Sequence, residues 1–336
     1  MKFLTYSIRH RTNYRYAASV AVSHHLLCLR PRDMPRQRCL NYSLHIEPKP
    51  ETATVRRDYF GNWREFVTLE GGHSELTVTT TSRVAVAPQF APEPFESPNW
   101  ENARGLTLTD RSNRGIEALE FTYNSPLIPA CKGIADYARQ SFQPNRPILE
   151  SAIELTQRIF AEFKFDPSAT DVSTPLAQVF SERRGVCQDF AHFQIACFRA
   201  LGLPARYVSG YLETDTPVGV PKMIGADASH AWVSFFCPGI GWIDLDPTNG
   251  CLPALRHLTV GWGRDYRDVC PMRGVIHGGG KHLLHVGVDV IAEGTIELAG
   301  MDSSPVPEES QSQSQSQISP SPGFMSQSQS TGIQSQ

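Results

Sequence analysis

Between Arg183 and Gly202 the chain reads R-R-G-V-C-Q-D-F-A-H-F-Q-I-A-C-F-R-A-L-G, which places two cysteines ten residues apart in one predicted helix. Phe190, Ala191, Ile195, Phe198 and Leu201 recur at the spacing of one helical face, while Gln188, Asp189, Gln194 and Arg199 fall on the other side. Gly202 and Pro204 then supply a C-terminal cap and a breaker. Cys197 is therefore mid-helix and reads as core. Cys187 opens the helix, where unpaired backbone N–H groups and the positive end of the helix dipole favour an anion such as a thiolate. Helix starts can bring a thiol down from its usual pKa of about 8.5 until it reacts near neutral pH. Gly185 permits a sharp turn just before it. Free cysteines are among the most buried residues, so a nucleophile reading needs a partner.

That partner comes from G-A-D-A-S-H-A-W-V-S-F-F-C-P-G-I-G-W-I-D-L-D-P-T-N-G, residues 225 to 250. Two predicted strands flank Pro238-Gly239-Ile240 and should form an antiparallel hairpin. With the turn centred on Gly239, paired positions sum to 478, so His230 stands opposite Thr248 and diagonal to Asp246. Alternation then puts His230 and Asp246 on one face, about 7–8 Å apart along the diagonal, a gap that an imidazole and a carboxylate can close. Asp244 shares the face but lies two residues further along. A thiolate at a helix start, an imidazole and an orienting carboxylate are the parts of nucleophilic acyl transfer. In that reading Cys187 attacks a carbonyl, His230 holds and delivers the proton, and Asp246 orients His230.

The chain also resembles the bacterial transglutaminase-like proteins of the papain-like cysteine-enzyme superfamily. The resemblance rests on R-R-G-V-C-Q-D-F-A-H at 183–192, A-R-Y-V-S-G-Y at 205–211, S-H-A-W-V at 229–233, G-W-I-D-L-D-P-T-N-G at 241–250 and G-R-D-Y-R-D-V at 263–269. Upstream, H-R-T-N-Y-R-Y at 10–16, L-R-P-R at 29–32 and D-Y-F-G-N at 58–62 are similar to that family's N-terminal β-domain. The resemblance implies a nucleophile at Cys187, a base at His230 and an acid at Asp246, in agreement with the hairpin argument. It further implies a thioester acyl-enzyme formed from an amide, by a protease or amidase or by a transglutaminase. Papain's glutamine, six residues before the cysteine, is here Ser181, so that position supplies no oxyanion-hole amide. The alternative is a catalytically silent protein that binds a peptide, or organises a partner enzyme, in the same cleft.

The elements that must position these residues follow from period and composition. The chain has 336 residues, 40% of them hydrophobic, and a formal net charge of −3, enough for substantial cores and no basis for polyanion binding. Residues 1–95 alternate, with Leu4/Tyr6/Ile8, Tyr42/Leu44/Ile46, Leu76/Val78 and Val84/Val86 marking strands of an all-β, sandwich-like domain. Residues 96–126 read as a linker and irregular segment, following a proline-rich stretch that runs from Ala87 to Trp100. From 127 to 302 the period predicts helices around Ile134, Tyr137 and Ala138 and around Ile153, Leu155, Ile159, Phe160 and Phe163, then the cysteine helix. Strands at 205–212, 231–237, 241–246 and 283–291 complete this part, giving an α+β class with helices packed on an antiparallel sheet. Residues 303–336, rich in Ser-Gln units, are too polar to offset ordering entropy and read as a disordered tail.

The eight cysteines form no C-x-x-C pair, there is no continuous apolar run of membrane length, and the N-terminus alternates like a strand rather than a signal peptide. The expectation is a cytoplasmic protein with reduced thiols, no cofactor and no metal, acting on a peptide or protein substrate without nucleic acid or membrane. Asp189 reads as structural, Arg183 and Arg184 as solvated, and Trp232 and Trp242 as core. Asp227 reads as a loop acid, while Arg264, Asp265 and Tyr266 match the family without a role that the sequence reveals. The run H-G-G-G-K-H-L-L-H at 277–285 lacks the ending of a phosphate loop and a metal spacing, and reads as a flexible loop before the last strand.

Overall fold

A computed structural model describes residues 2–88, 93–214 and 228–298. Asp227 and the segment expected to be a tail lie outside the described residues. In chain order come β1 (Lys2–Leu27), β2 (Gln37–Glu47), β3 (Thr52–Arg57), β4 (Trp63–Val86), α1 (Trp100–Thr109), α2 (Asn113–Glu120), α3 (Ile134–Arg139) and α4 (Ile148–Glu162). There follow β5 (Lys164–Phe165), α5 (Leu176–Glu182), β6 (Arg184–Gly185), α6 (Cys187–Ala200), β7 (Ala205–Leu212), β8 (Ala228–Cys237) and β9 (Gly241–Leu245). The described chain closes with β10 (His257–Gly263), α7 (Tyr266–Val269), β11 (Met272–Gly278) and β12 (His282–Glu297). The class is α+β, an N-terminal antiparallel sheet followed by helices on a second antiparallel sheet. Among the described residues no helix is long and apolar enough to cross a membrane.

The N-terminal sheet is organised by two long strands, β1 and β4, which pair along nearly their whole length. Their register breaks between Arg15 and Val22, and different edge strands line the two stretches. Tyr16, Val20, Leu27, Val67, Leu69, Ile46, Leu76 and Val78 come from both stretches and share one core, so the sheet folds onto itself. At the bend Gly278, Gly279 and Gly280 all take positive φ, at 100°, 80° and 63°. A Cβ on Gly278 would lie 2.6 Å from the Ser19 carbonyl oxygen, so only glycine lets the edge chain follow this corner. The run expected to be a flexible loop is thus a corner, anchored by backbone bonds from Ala17 to Lys281 and from Ala18 to Gly279.

Two elements differ from the sequence expectation. The strand expected at 283–291 among the catalytic core's strands belongs instead to the N-terminal sheet, as β12 paired with β1 from Lys2↔Glu297 to Tyr16↔His282. Alternation identifies a strand without naming its partner, which here lies at the opposite end of the chain. The segment expected to be a linker carries α1 and α2, capped by the Asn99 and Ser112 side chains. Their buried positions are Ala103, Thr107, Gly115 and Ala118, residues too small or polar to show an apolar period.

The second sheet runs β10-β7-β8-β9 and packs on α6. Expected to have a polar side, α6 is buried nearly all round, and its polar residues are bonded instead of solvated. Gln194 donates to Thr156 Oγ1 at 2.7 Å, and Arg199 donates to the carbonyls of Phe121, Ala205 and Arg264. Phe160, expected on the apolar face of α4, is 54% exposed.

β10 is an edge strand, and the N-terminal sheet covers its open side with two amide side chains. Gln37 donates to Thr259 O at 2.7 Å and accepts from Thr259 N–H at 2.8 Å. Asn62 does the same at Trp262, donating at 2.8 Å and accepting at 3.0 Å. Each amide imitates a neighbouring strand at the residue it meets, so that backbone is not open to another chain. Close by, Arg32 stacks on Trp262 at 3.2 Å, and Arg206 lies between Trp242 and Trp262 at 4.0 and 3.8 Å. Replacing Gln37 by Leu removes both bonds to Thr259 and strands buried donors and acceptors. Urea unfolding should show a loss of about 2–4 kcal/mol, and a change below about 0.5 kcal/mol would refute the role given to this amide.

Candidate active site

Cys187 is the first residue of α6 and is half-buried. Asp189 shapes this helix start. Its Oδ2 accepts the Val186 N–H at 2.8 Å and the Thr170 hydroxyl at 2.7 Å, a cap that matches the structural role expected of it. Gly185 is required for the same reason, because a Cβ there would sit 2.5 Å from Asp189 Oδ2. Arg183 and Arg184 pair with Glu162 and Glu182 on the surface. Ser181 donates its hydroxyl back to Gln178 O on the exposed face of α5.

The hairpin register matches the sequence argument. Val233↔Leu245, Ser234↔Asp244, Phe235↔Ile243, Phe236↔Trp242 and Cys237↔Gly241 each sum to 478. Beyond this ladder His230 Nε2 meets Asp246 Oδ2 at 2.8 Å, with His230 only 7% exposed and Asp246 fully buried. Asp244 turns away to Arg36 of the N-terminal segment, at 3.5 Å. Trp232 is fully buried, 6.1 Å from the His230 ring, whereas Trp242 is half-buried against Phe121 and Phe236.

The Cys187 thiol lies on the His230 side of the helix start and is among the groups that favour a proton on the imidazole. Because Nε2 is engaged by Asp246, Nδ1 is the ring nitrogen left for the sulfur. Burial alone would lower the His230 pKa, but the bond to Asp246, the Cys187 thiol and the negative charge on both outweigh it and push the value up to about 10. Burial likewise works against the Asp246 charge. Its hydrogen bonds with His230, His257 and Asn249 prevail and hold the carboxyl well below the usual range.

Asp246 has more partners than the sequence indicated. Its Oδ1 accepts the backbone N–H groups of Thr248 at 2.9 Å and Asn249 at 3.2 Å, which closes the turn that carries it. Its Oδ2 also accepts Asn249 Nδ2 at 2.6 Å and meets His257 Nε2 at 2.9 Å. Asn249 belongs to the turn that follows Asp246-Pro247. His257 had no signal, because the alternation of its strand does not show that it meets a carboxylate carried by a separate turn. Among the described residues, His230, Asp246 and His257 are the group whose ligand atoms, all within 4.8 Å of one another, could hold a metal ion. Both ring nitrogens stand at hydrogen-bond distance from the same oxygen, an arrangement suited to protons.

The G-R-D-Y-R-D-V segment supports this site from behind. Asp265 accepts the Leu127 N–H at 3.0 Å, Arg264 pairs with Asp268 at 2.9 Å, and the Tyr266 N–H donates to His192 Nε2 at 3.1 Å. His192 lies on α6, one turn beyond Cys187, and burial lowers its pKa to about 4, so it serves as a neutral acceptor.

The chain matches the bacterial transglutaminase-like N-terminal region over residues 6–85 and the transglutaminase-like superfamily over residues 135–247. It is 41% identical to an uncharacterized protein of Mycobacterium tuberculosis across 295 residues, 85% of this chain and 92% of that one. The chain belongs to the transglutaminase-like superfamily. A protein-glutamine gamma-glutamyltransferase of Pseudomonas aeruginosa is 28% identical over 126 residues, 37% of this chain and 19% of that protein. A proposed cysteine protease of Cytophaga hutchinsonii shares the fold with a TM-score of 0.69 at 18% identity, over 87% of this chain and 92% of that one.

The raised His230 pKa predicts a pH dependence. A folded value above the ordinary 6.5 makes the stabilisation complete below about 6.5 and lost as pH rises through about 10. In an NMR titration, Cys187→Ala and Asp246→Asn should each lower the His230 pKa. An unchanged titration in both would show that neither group holds the proton on the ring.

Proposed function

We propose that the protein is a cysteine-dependent acyl-transfer enzyme acting on amide bonds of peptide or protein substrates, with Cys187 as nucleophile, His230 as base and then acid, and Asp246 as the orienting carboxylate. The observation that carries this reading is one buried imidazole held at 2.8 Å by a buried carboxylate, with a helix-start thiol among the groups that favour its charged form. Superfamily membership and the named activity of the Pseudomonas aeruginosa relative support it.

In this mechanism the Cys187 sulfur attacks the amide carbonyl carbon and the C–N bond breaks. His230 passes the proton from Nδ1 to the departing amine, leaving a thioester on Cys187. Asp246 keeps a proton on Nε2, so Nδ1 always faces the sulfur and the substrate. The Cys187 N–H has no acceptor within its own helix and is placed to meet the oxyanion. Water or an amine then attacks the thioester, His230 takes its proton, and the thiol is restored. Hydrolysis and transfer differ only in that second nucleophile.

The proposed location is the cytoplasm, a compartment in which thiols such as that of Cys187 stay reduced. Recovery in the soluble cytoplasmic fraction is the expected result of cell fractionation, and recovery outside the cytoplasm would overturn this assignment.

Turnover of a glutamine-containing peptide library should disappear in Cys187→Ala and leave a mass-detectable acyl adduct on Cys187 in wild type. Added primary amine competing with water would mark a transferase. Limiting haloacetamide should modify Cys187 first, because burial pushes the thiols of Cys28, Cys39 and Cys251 up to about 11 and that of Cys237 to about 12. Equal turnover by wild type and Cys187→Ala would refute the proposal.

A further inference from the structure

His257 reaches the Asp246 carboxylate from a different strand than His230 does. It is 7% exposed, its Nε2 stands 2.9 Å from Asp246 Oδ2, and that oxygen is the one that holds His230. An acceptor oxygen shared by two imidazoles and the Asn249 amide has its lone pairs directed, so its orientation towards His230 depends on all three donors. The His257 Nδ1 is buried without a hydrogen-bond partner. A protonated Nδ1 would leave an unpaired donor there and would turn a lone pair on Nε2 towards the carboxylate, a repulsive contact. Protonation at Nε2 avoids both.

The strand carrying His257 is also fixed. Two residues along, both backbone groups of Thr259 are held by Gln37 from the N-terminal sheet, and the His257 ring stands edge-on to Trp232 at 5.3 Å. The donor therefore sits on a braced element, as precise orientation requires.

We propose that His257 is a positioning residue for His230: as its Nε2–H tautomer it donates to Asp246 Oδ2 and holds that oxygen in line with the His230 ring. This rests on the triad reading of the site. The chief rival is direct substrate contact, because His257 also lines a cavity of about 380 Å³ with Asn249, Cys251, Leu252 and Arg256.

The experiment combines a measurement on the resting protein with kinetics. Long-range ¹H–¹⁵N correlation spectra of the wild type should show His257 protonated at Nε2. An unprotonated Nε2 cannot donate to Asp246 and overturns the proposal without any variant. His257→Phe keeps a ring against Trp232 but loses the donor, whereas His257→Gln keeps an amide donor. The His230 Nε2–H signal should shift or broaden in His257→Phe and return towards wild type in His257→Gln. On a glutamine- or amide-containing peptide, His257→Phe should lower kcat about tenfold to a hundredfold with KM within about twofold, and His257→Gln should recover much of the loss. A raised KM with unchanged kcat would mean substrate contact instead and would refute positioning, as would an unaltered His230 signal. Should the wild type turn over no peptide, the enzyme proposal fails by itself, while the spectra still decide whether His257 holds the pair.

Discussion

A carboxylate with no solvent exposure must be satisfied by its neighbours, and Asp246 imposes that requirement on the centre of this protein. Removing one partner from a buried charge network typically costs about 3–5 kcal/mol, more than a side chain's packing can usually offset. The arrangement around Asp246 reflects that constraint. Its own turn supplies two backbone N–H groups, Asn249 supplies an amide, and two histidines arrive from β8 and β10, strands separated by β7. The charge this set stabilises is the one that raises the His230 pKa, so packing and reactivity have one origin.

The N-terminal sheet takes part in this without touching the reacting atoms. Its motif residues Arg32 and Asn62, with Gln37, meet β10 and the Trp242–Arg206–Trp262 stack, while His10 hydrogen-bonds the Tyr211 hydroxyl at 3.0 Å. Gly261 leaves the space that Asn62 needs, since a Cβ there would lie 2.6 Å from the amide oxygen. An edge strand held only by β7 would be free to twist or to pair with another chain. Braced by the two amides, it delivers His257 to a defined place.

Much of the site was legible because its information is local. Helix period and capping located Cys187 at the start of α6, and turn symmetry set the β8–β9 register that brings His230 near Asp246. The other half of the arrangement was hidden. His257 sits on a strand, H-L-T-V-G-W-G, in which Leu258, Val260 and Trp262 alternate with polar residues and glycine, and such a period marks a strand without showing which carboxylate its first histidine meets. The short helices α1 and α2 were missed because small residues make their contacts.

By itself the sequence determined the elements whose stability depends on neighbours a few residues away: the alternating strands, the cysteine helix with its cap, and the hairpin with its histidine. Tertiary structure alone decided which elements meet. Gln37 and Thr259 are 222 positions apart, and β1 pairs with a strand near the far end of the described chain. The reason is physical: a period of 2 or 3.6 states which face a side chain occupies, whereas the partner of an amide, an edge strand or a buried carboxylate is chosen by the packing of the whole fold.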